Sequence, residues 1–189
     1  MEKNTELLDE DKFTVSGTVK KEEFNKYGLY HLKKFHRILF YFLLIFTFLI
    51  FAIPTINTID ADLYIYMYIF LFIPYAIISL IVSLPALFLG KFSSKIKTSR
   101  EYDSDQLIQK EITYTFSSKE IQQKFDRSVG YFEWNQIQNV YENKDMFRLY
   151  VSKAKAIILP KRFFNSDAEI DLLKKLIRDN VDNKKVKLM

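Results

Sequence analysis

Histidine is the side chain best placed for metal binding and proton transfer near neutral pH, and the chain has two, His31 and His36. They stand five positions apart, whereas a spacing of four sets two ligands on one helical face. The spacing predicts a helix face near lipid headgroups and no metal site. There is no cysteine, which excludes disulfides, thiolate metal sites and a cysteine nucleophile. The glycines, Gly17, Gly28, Gly90 and Gly130, are isolated, and neither standard phosphate-cradling loop is present. The serines form no nucleophile elbow. Glu133 and Glu142 lack any neighbour that would make an acid–base pair, and each is expected on a solvated strand face. Trp134, the sole tryptophan, could mark a ligand pocket, but its place between a strand and a polar turn favours core packing. No catalytic residue and no cofactor is expected, and the chain is read as non-enzymatic.

Basic residues are the remaining candidates. The formal charge is +5. Lys91, Lys95, Lys97 and Arg100 follow one long apolar run, and Lys161 and Arg162 follow a short one. These six are the candidate contacts to an anionic lipid headgroup or a protein partner. An ordinary solvated surface explains Lys161 and Arg162 equally well. Nucleic-acid binding is not expected, because it calls for a denser basic stripe with exposed aromatics.

The elements that carry these residues divide into two regimes. Residues 38–59 and 63–90 are two runs without Asp, Glu, Lys, Arg or His. Each reaches the ~20 residues that a helix needs to cross a hydrocarbon core. Only Asp60-Ala61-Asp62 separates them, so residues 37–91 read as an antiparallel transmembrane hairpin. A buried hairpin in a soluble protein is the competing reading, but such helices keep a polar face and these do not. Lys33, Lys34 and Arg37 precede the hairpin, and Lys91, Lys95, Lys97 and Arg100 follow it. The loop between has neither Lys nor Arg. Basic residues favour the cytoplasmic side, so both termini are expected there, in a cell membrane. Tyr64, Tyr66 and Tyr68 should mark the outer interface and Tyr41 the inner one. No secretory signal is expected, since the first apolar run is long and lies far from Met1. Pro54, Pro74 and Pro85 can kink membrane helices. Packing absorbs such kinks more often than function uses them. Thr47, Thr55, Asn57, Thr58, Ser79 and Ser83 could bond across the hairpin or to their own backbones.

Outside the hairpin, residues 1–10 read as a disordered leader, and 11–36 as a strand followed by an amphipathic helix. In the strand Phe13, Val15 and Gly17 alternate with polar neighbours. In the helix Phe24, Tyr27, Leu32 and Phe35 share a face, with Gly28 as a weak point or bend. Ser99 to Asp105 reads as a polar linker. Strands are expected near Leu107–Phe116, Glu120–Asp126, Ser128–Trp134, Gln138–Asn143, Phe147–Ser152 and Lys155–Leu159, separated by turn-forming residues. Ser166 and Glu169 form a capping box for a final helix. Its apolar stripe is Ile170, Leu173, Leu176, Ile177 and Val181, with Lys174, Lys175 and Arg178 on the wet side. Residues 182–189 read as a frayed basic tail. The fold class is an α+β domain, an antiparallel strand-rich partial barrel closed by one helix, tethered by a two-helix hairpin.

Trp134-Asn135-Gln136-Ile137, Tyr141, Phe147-Arg148-Leu149-Tyr150 and Ile157-Ile158-Leu159-Pro160-Lys161-Arg162 resemble the C-terminal region of the YcxB-like family. These are small bacterial membrane proteins with a hairpin and a soluble domain. The resemblance implies a domain over 100–181 similar to bacterial pleckstrin-homology-like (PH-like) domains, with the hairpin inserted near its start. It supplies no catalytic residues.

Two functions are consistent with this reading. One is a membrane-anchored scaffold whose cytoplasmic domain binds a protein, a peptide or inner-leaflet lipid. The other is an accessory or oligomeric subunit of a membrane transport system, with several hairpins around a pathway, in which case the chain would form homo-oligomers.

Overall fold

The computed structural model describes residues 12–58 and 65–189. The expected leader at 1–10, the connector Asp60-Ala61-Asp62 and Tyr64 lie outside the described residues. The element order is β1 (Phe13–Gly17), α1 (Lys21–Thr58), α2 (Ile65–Ser104), β2 (Ile112–Phe116), β3 (Glu120–Phe125), β4 (Ser128–Glu133), β5 (Asn139–Glu142), β6 (Met146–Tyr150), β7 (Ala156–Pro160), α3 (Asp167–Asn180) and β8 (Val186–Lys187). The described residues form two compact units, one within residues 25–100 and one from residues 12–24 with 101–189.

The first unit is a hairpin of two long apolar helices. Among the described residues, two helices are long and apolar enough to cross a membrane, with mean hydropathy of 2.5 and 2.3 over their most apolar stretches. Antiparallel order follows from the contacts between them. Thr98 Oγ1 donates to Asn25 Oδ1 at 2.8 Å, while Thr55 Oγ1 and Tyr75 Oη lie 2.9 Å apart toward the other end. Phe48 meets Phe72, and Phe51 stacks on Tyr75. The seam along α2 is made of small or polar residues, in two pairs each one turn apart. Ser79, Ser83, Ser94 and Thr98 are buried, and the three serines also donate to carbonyls of their own helix. Small side chains let helix backbones approach closely, and back-bonded hydroxyls need no water.

Both helices run past their apolar stretches without interruption. α1 runs through Gly28 without interruption. Gly28 packs closely on α2, since a Cβ there would overlap the Thr98 side chain. Gly28→Val is expected to push α1 and α2 apart at this level, at a cost of about 1–3 kcal/mol for overpacking. The check is disulfide yield in a His36→Cys, Ser94→Cys pair, whose native side chains touch, which should fall when Gly28→Val is added. α2 likewise continues through the stretch expected to be a linker, to Ser104, because residues 99–104 contain neither Gly nor Pro to stop it. Leu107 to Glu111, expected to open β2, is a turn instead. The Leu107 N–H is taken by Asp105 Oδ1 at 2.9 Å and the Lys110 N–H by the Leu107 carbonyl, an arrangement Asp favours over extension.

The second unit holds two open four-stranded sheets, ordered β1-β2-β3-β4 and β7-β6-β5-β8. The strand before the hairpin joins the sheet formed after it. β1 pairs antiparallel with β2, Val15 opposite Tyr114. β3 and β4 close a two-residue turn at Asp126-Arg127, with Asp126 at φ 51°, a left-handed conformation that Asp tolerates. In the other sheet β6 is buried on both faces. β8 adds to β5 in parallel, Val140 opposite Val186, so part of the expected frayed tail is a sheet strand. Phe164 joins the sheets, contacting Phe13 of β1 and Phe147 of β6. Trp134 is buried in this core and donates to the Ser117 carbonyl at 2.9 Å.

α3 starts at a capping box. The Ser166 side chain accepts from the Glu169 N–H, and Glu169 Oε2 accepts from the Asn165 N–H at 2.8 Å. That second bond falls one residue earlier than the standard pattern. Leu173, Leu176 and Ile177 are buried, as is Val181 just beyond the helix.

Candidate functional site

Within the hairpin unit, the end richest in charge combines a polar contact with an open groove. Apolar positions on α1 recur one turn apart at Leu32, Phe35 and Leu39 and carry His36 between them. His36 is buried, its Nε2 3.1 Å from Ser94 Oγ. A Cβ on Gly90 would come within 2.9 Å of the His36 ring, so glycine at that position leaves room for the imidazole. Beside this contact lies a cavity of about 500 Å3. Lys97 lines it, and Lys91, Lys95, Lys97 and Arg100 are all exposed on α2.

In the two-sheet unit the charged residues turn inward. β5 alternates, so Glu142 points the same way as Val140, and its side chain is only 1% exposed. Glu142 Oε1 lies 2.6 Å from Lys161 Nζ and 3.0 Å from Lys174 Nζ, and Oε2 accepts the Met189 N–H at 2.8 Å. Burial acts to raise this carboxyl's pKa. The bonds from Lys161, Met189 and Lys174 outweigh it, and the carboxyl is held below the usual carboxylate range. Lys161 Nζ also sits 5.3 Å from the centre of the Phe147 ring. The group ties β5, the 161–163 turn, α3 and the chain's last residue together.

On the opposite face of the same sheet, Arg148 is buried. Its Nε donates to Asn143 Oδ1 at 3.1 Å and its Nη1 to Tyr150 Oη at 3.0 Å. The guanidinium lies 5.1 Å from the Tyr141 ring centre and 5.7 Å from that of Tyr150. Arg162 makes a bidentate pair with Glu23, at 2.6 and 2.8 Å, and bonds the Thr18 carbonyl. It fastens the start of α1 to the 161–163 turn.

The six candidate contacts therefore separate. Lys91, Lys95, Lys97 and Arg100 are exposed on one helix. Lys161 and Arg162 are bound in intramolecular ion pairs and hold the fold. Two expectations are corrected with them. Glu142 is buried rather than solvated, and Lys174 is on no wet face, its side chain only 17% exposed against Glu142. The signal for Glu142 was available, because the period of β5 puts it beside Val140. Nothing local marked Lys174, whose partner lies thirty-two positions earlier in the chain. His36, expected near headgroups on a helix face, is enclosed by Ser94 and the Gly90 gap. Among the described residues no three His, Cys, Asp or Glu side chains gather in one place.

Comparison with known proteins bears on the two-sheet unit. A family model described as "YcxB-like protein" matches residues 116–177. Over 92 residues the chain is 33% identical to "Uncharacterized protein YcxB" of Bacillus subtilis (strain 168), a match covering 49% of this chain and 50% of that protein. The chain thus spans about half the length of the curated relative it matches. No solved structure matches. The matched stretch runs from the end of β2 into α3 and contains the core tryptophan, the Arg148 face and Glu142 with both of its lysines. Over residues 116–177 the chain is similar to the YcxB-like family.

Proposed function

We propose that this chain is a non-enzymatic membrane-anchored scaffold. The hairpin spans a cell membrane with both termini cytoplasmic, and the two-sheet unit, PH-like in kind, binds a protein, a peptide or inner-leaflet lipid. The observation that carries the anchoring is the exposure of the helices. Only 11% of the residues in each apolar stretch are buried, and Phe70, Phe88 and Ile81 are 79%, 70% and 62% exposed. Soluble monomers rarely leave contiguous apolar patches beyond a few hundred Å2 open to water, whereas a bilayer covers such faces. Connectivity supports the same sidedness. β1 and β2 pair with each other yet flank the hairpin in the chain, so the chain must leave and return on one side, as two crossings do. The non-enzymatic reading rests on chemistry, since the most buried carboxylate, Glu142, is engaged by two lysines and a backbone N–H.

The transport-subunit reading is weaker. A pathway between copies calls for polar groups on outward faces, and Ser79, Ser83 and His36 are buried within the hairpin.

The test uses the cysteine-free background. Ala61→Cys is expected to react with an impermeant thiol reagent in intact cells and Ser104→Cys to remain unlabelled. Labelling at 104 and not at 61 would reverse the topology. Release of the protein from membranes by alkaline extraction would remove the anchoring altogether.

A further inference from the structure

The groove beside His36 crosses a chemical boundary. Its inner end is formed by Leu39, Ala86 and Leu89, which belong to the uncharged runs. Its other end is formed by His36, Ser93 and Lys97 together with Leu32 and Phe35, beyond those runs. From Ala86 to Lys97 the groove follows about 16 Å of helix. It encloses about 500 Å3, within the range of small-molecule sites. Lys97 lines the cavity there and no carboxylate does. Lys95 and Arg100, exposed on the same helix, add to the positive field. Leu89 is 66% exposed and stands about two turns before Lys97. An apolar stem that ends at a cation fits an amphiphile with an anionic head. A second helix would bring apolar contacts along the whole length and leave the Lys97 end unpaired.

We propose that this groove holds one anionic phospholipid of the surrounding leaflet. Its phosphate lies against Lys97 and the Ser93 hydroxyl, and the upper part of an acyl chain lies along Leu39, Ala86 and Leu89. The His36–Ser94 contact and the missing side chain at Gly90 shape the floor. The proposal rests on the bilayer reading above and narrows the lipid contact from a basic helix face to one position.

The full chain is purified in mild detergent, exchanged into nanodiscs of mixed phosphatidylglycerol and phosphatidylcholine, and released in a native mass spectrometer to count retained lipid. Wild type is expected to retain one phosphatidylglycerol in preference to phosphatidylcholine. Lys97→Gln should lower that preference about fivefold, the loss of one cation's attraction to an anionic headgroup. Ala86→Phe, which fills the apolar end, should reduce retention of both lipids. Lys91→Gln, outside the groove, should leave retention unchanged. Equal retention by wild type and Lys97→Gln would overturn the site. Equal losses in Lys97→Gln and Lys91→Gln would also overturn it, by showing diffuse charge attraction. If alkaline extraction releases the protein, the bilayer reading fails. If the protein stays in the membrane without a lipid preference, only the groove fails.

Discussion

Leu173→Asp is expected to open the two-sheet unit to protease while the hairpin stays in the membrane fraction. Leu173 has no exposed surface and lies in the α3 stripe with Leu176 and Ile177. Losing the burial of such a leucine costs about 2–5 kcal/mol, and an unpaired buried carboxylate adds to that. Domains of this size have about 5–15 kcal/mol in total, so most of the unit's margin should go. The hairpin's insertion depends on its own apolar length, so it should survive. The matched control is Arg178→Gln, an exposed position of the same helix, where surface substitutions change stability little. Limited proteolysis of membranes carrying an N-terminal tag separates the outcomes. Equal sensitivity of the two variants would mean that α3 does not seal the core. Loss of the Leu173→Asp protein from membranes would mean that the two units are not independent.

Glu142→Gln should produce the second large effect, and one that depends on pH. The substitution leaves Lys161 and Lys174 as cations around a neutral amide. Removing one partner of a buried ion pair costs about 3–5 kcal/mol. The lysine side chains keep 26% and 17% exposure and can partly hydrate, which points to the lower end. The carboxyl's pKa is lower in the folded chain than the ordinary 4.5. Its contribution is therefore complete above the ordinary value and is lost as pH falls through the lowered folded value. Wild type should exceed Glu142→Gln in stability at neutral pH, and the gap should close in acid. Trp134, the sole tryptophan, reports unfolding of this unit alone, so urea titrations followed by its fluorescence measure the gap directly. A gap of constant size from neutral to strongly acidic pH would show that the charge of Glu142 contributes nothing.

The legible parts of this molecule were those written in local periods. Alternation and turn residues located β3 to β7 within a residue or two. The spacing of Leu173, Leu176 and Ile177 defined the buried face of α3, and Ser166 marked its start. What escaped was set by partners far along the chain. Lys174 reads as a solvent-facing lysine until Glu142 is placed beneath it. Arg162 reads as a free cation until Glu23 arrives, 139 positions away. β8 has two residues, too few to show any period. Residues 99–104 looked like a linker because they are polar, yet polarity does not stop a helix that lacks a breaker. The groove was hidden for a related reason. Lys97 stood out as a cation, but the cavity it borders exists only once Gly90 and His36 face each other.

The pairing of β1 with β2 also sets an order of events during synthesis. Thr14 and Thr115 face each other at 3.0 Å although 101 positions separate them. A ribosome adding about 5–20 residues per second needs roughly 5–20 s to cover that interval. For that time the newborn β1 has no ladder to join, and Phe13 and Val15 have no core to enter. Both helices must emerge before the first sheet can begin to form. A nascent chain stalled between Thr58 and Ile112 would carry a lone apolar strand, the kind of segment on which chaperones and edge-to-edge aggregation act. Emergence of both helices therefore precedes folding of the sheet, and the first strand made is among the last to be used.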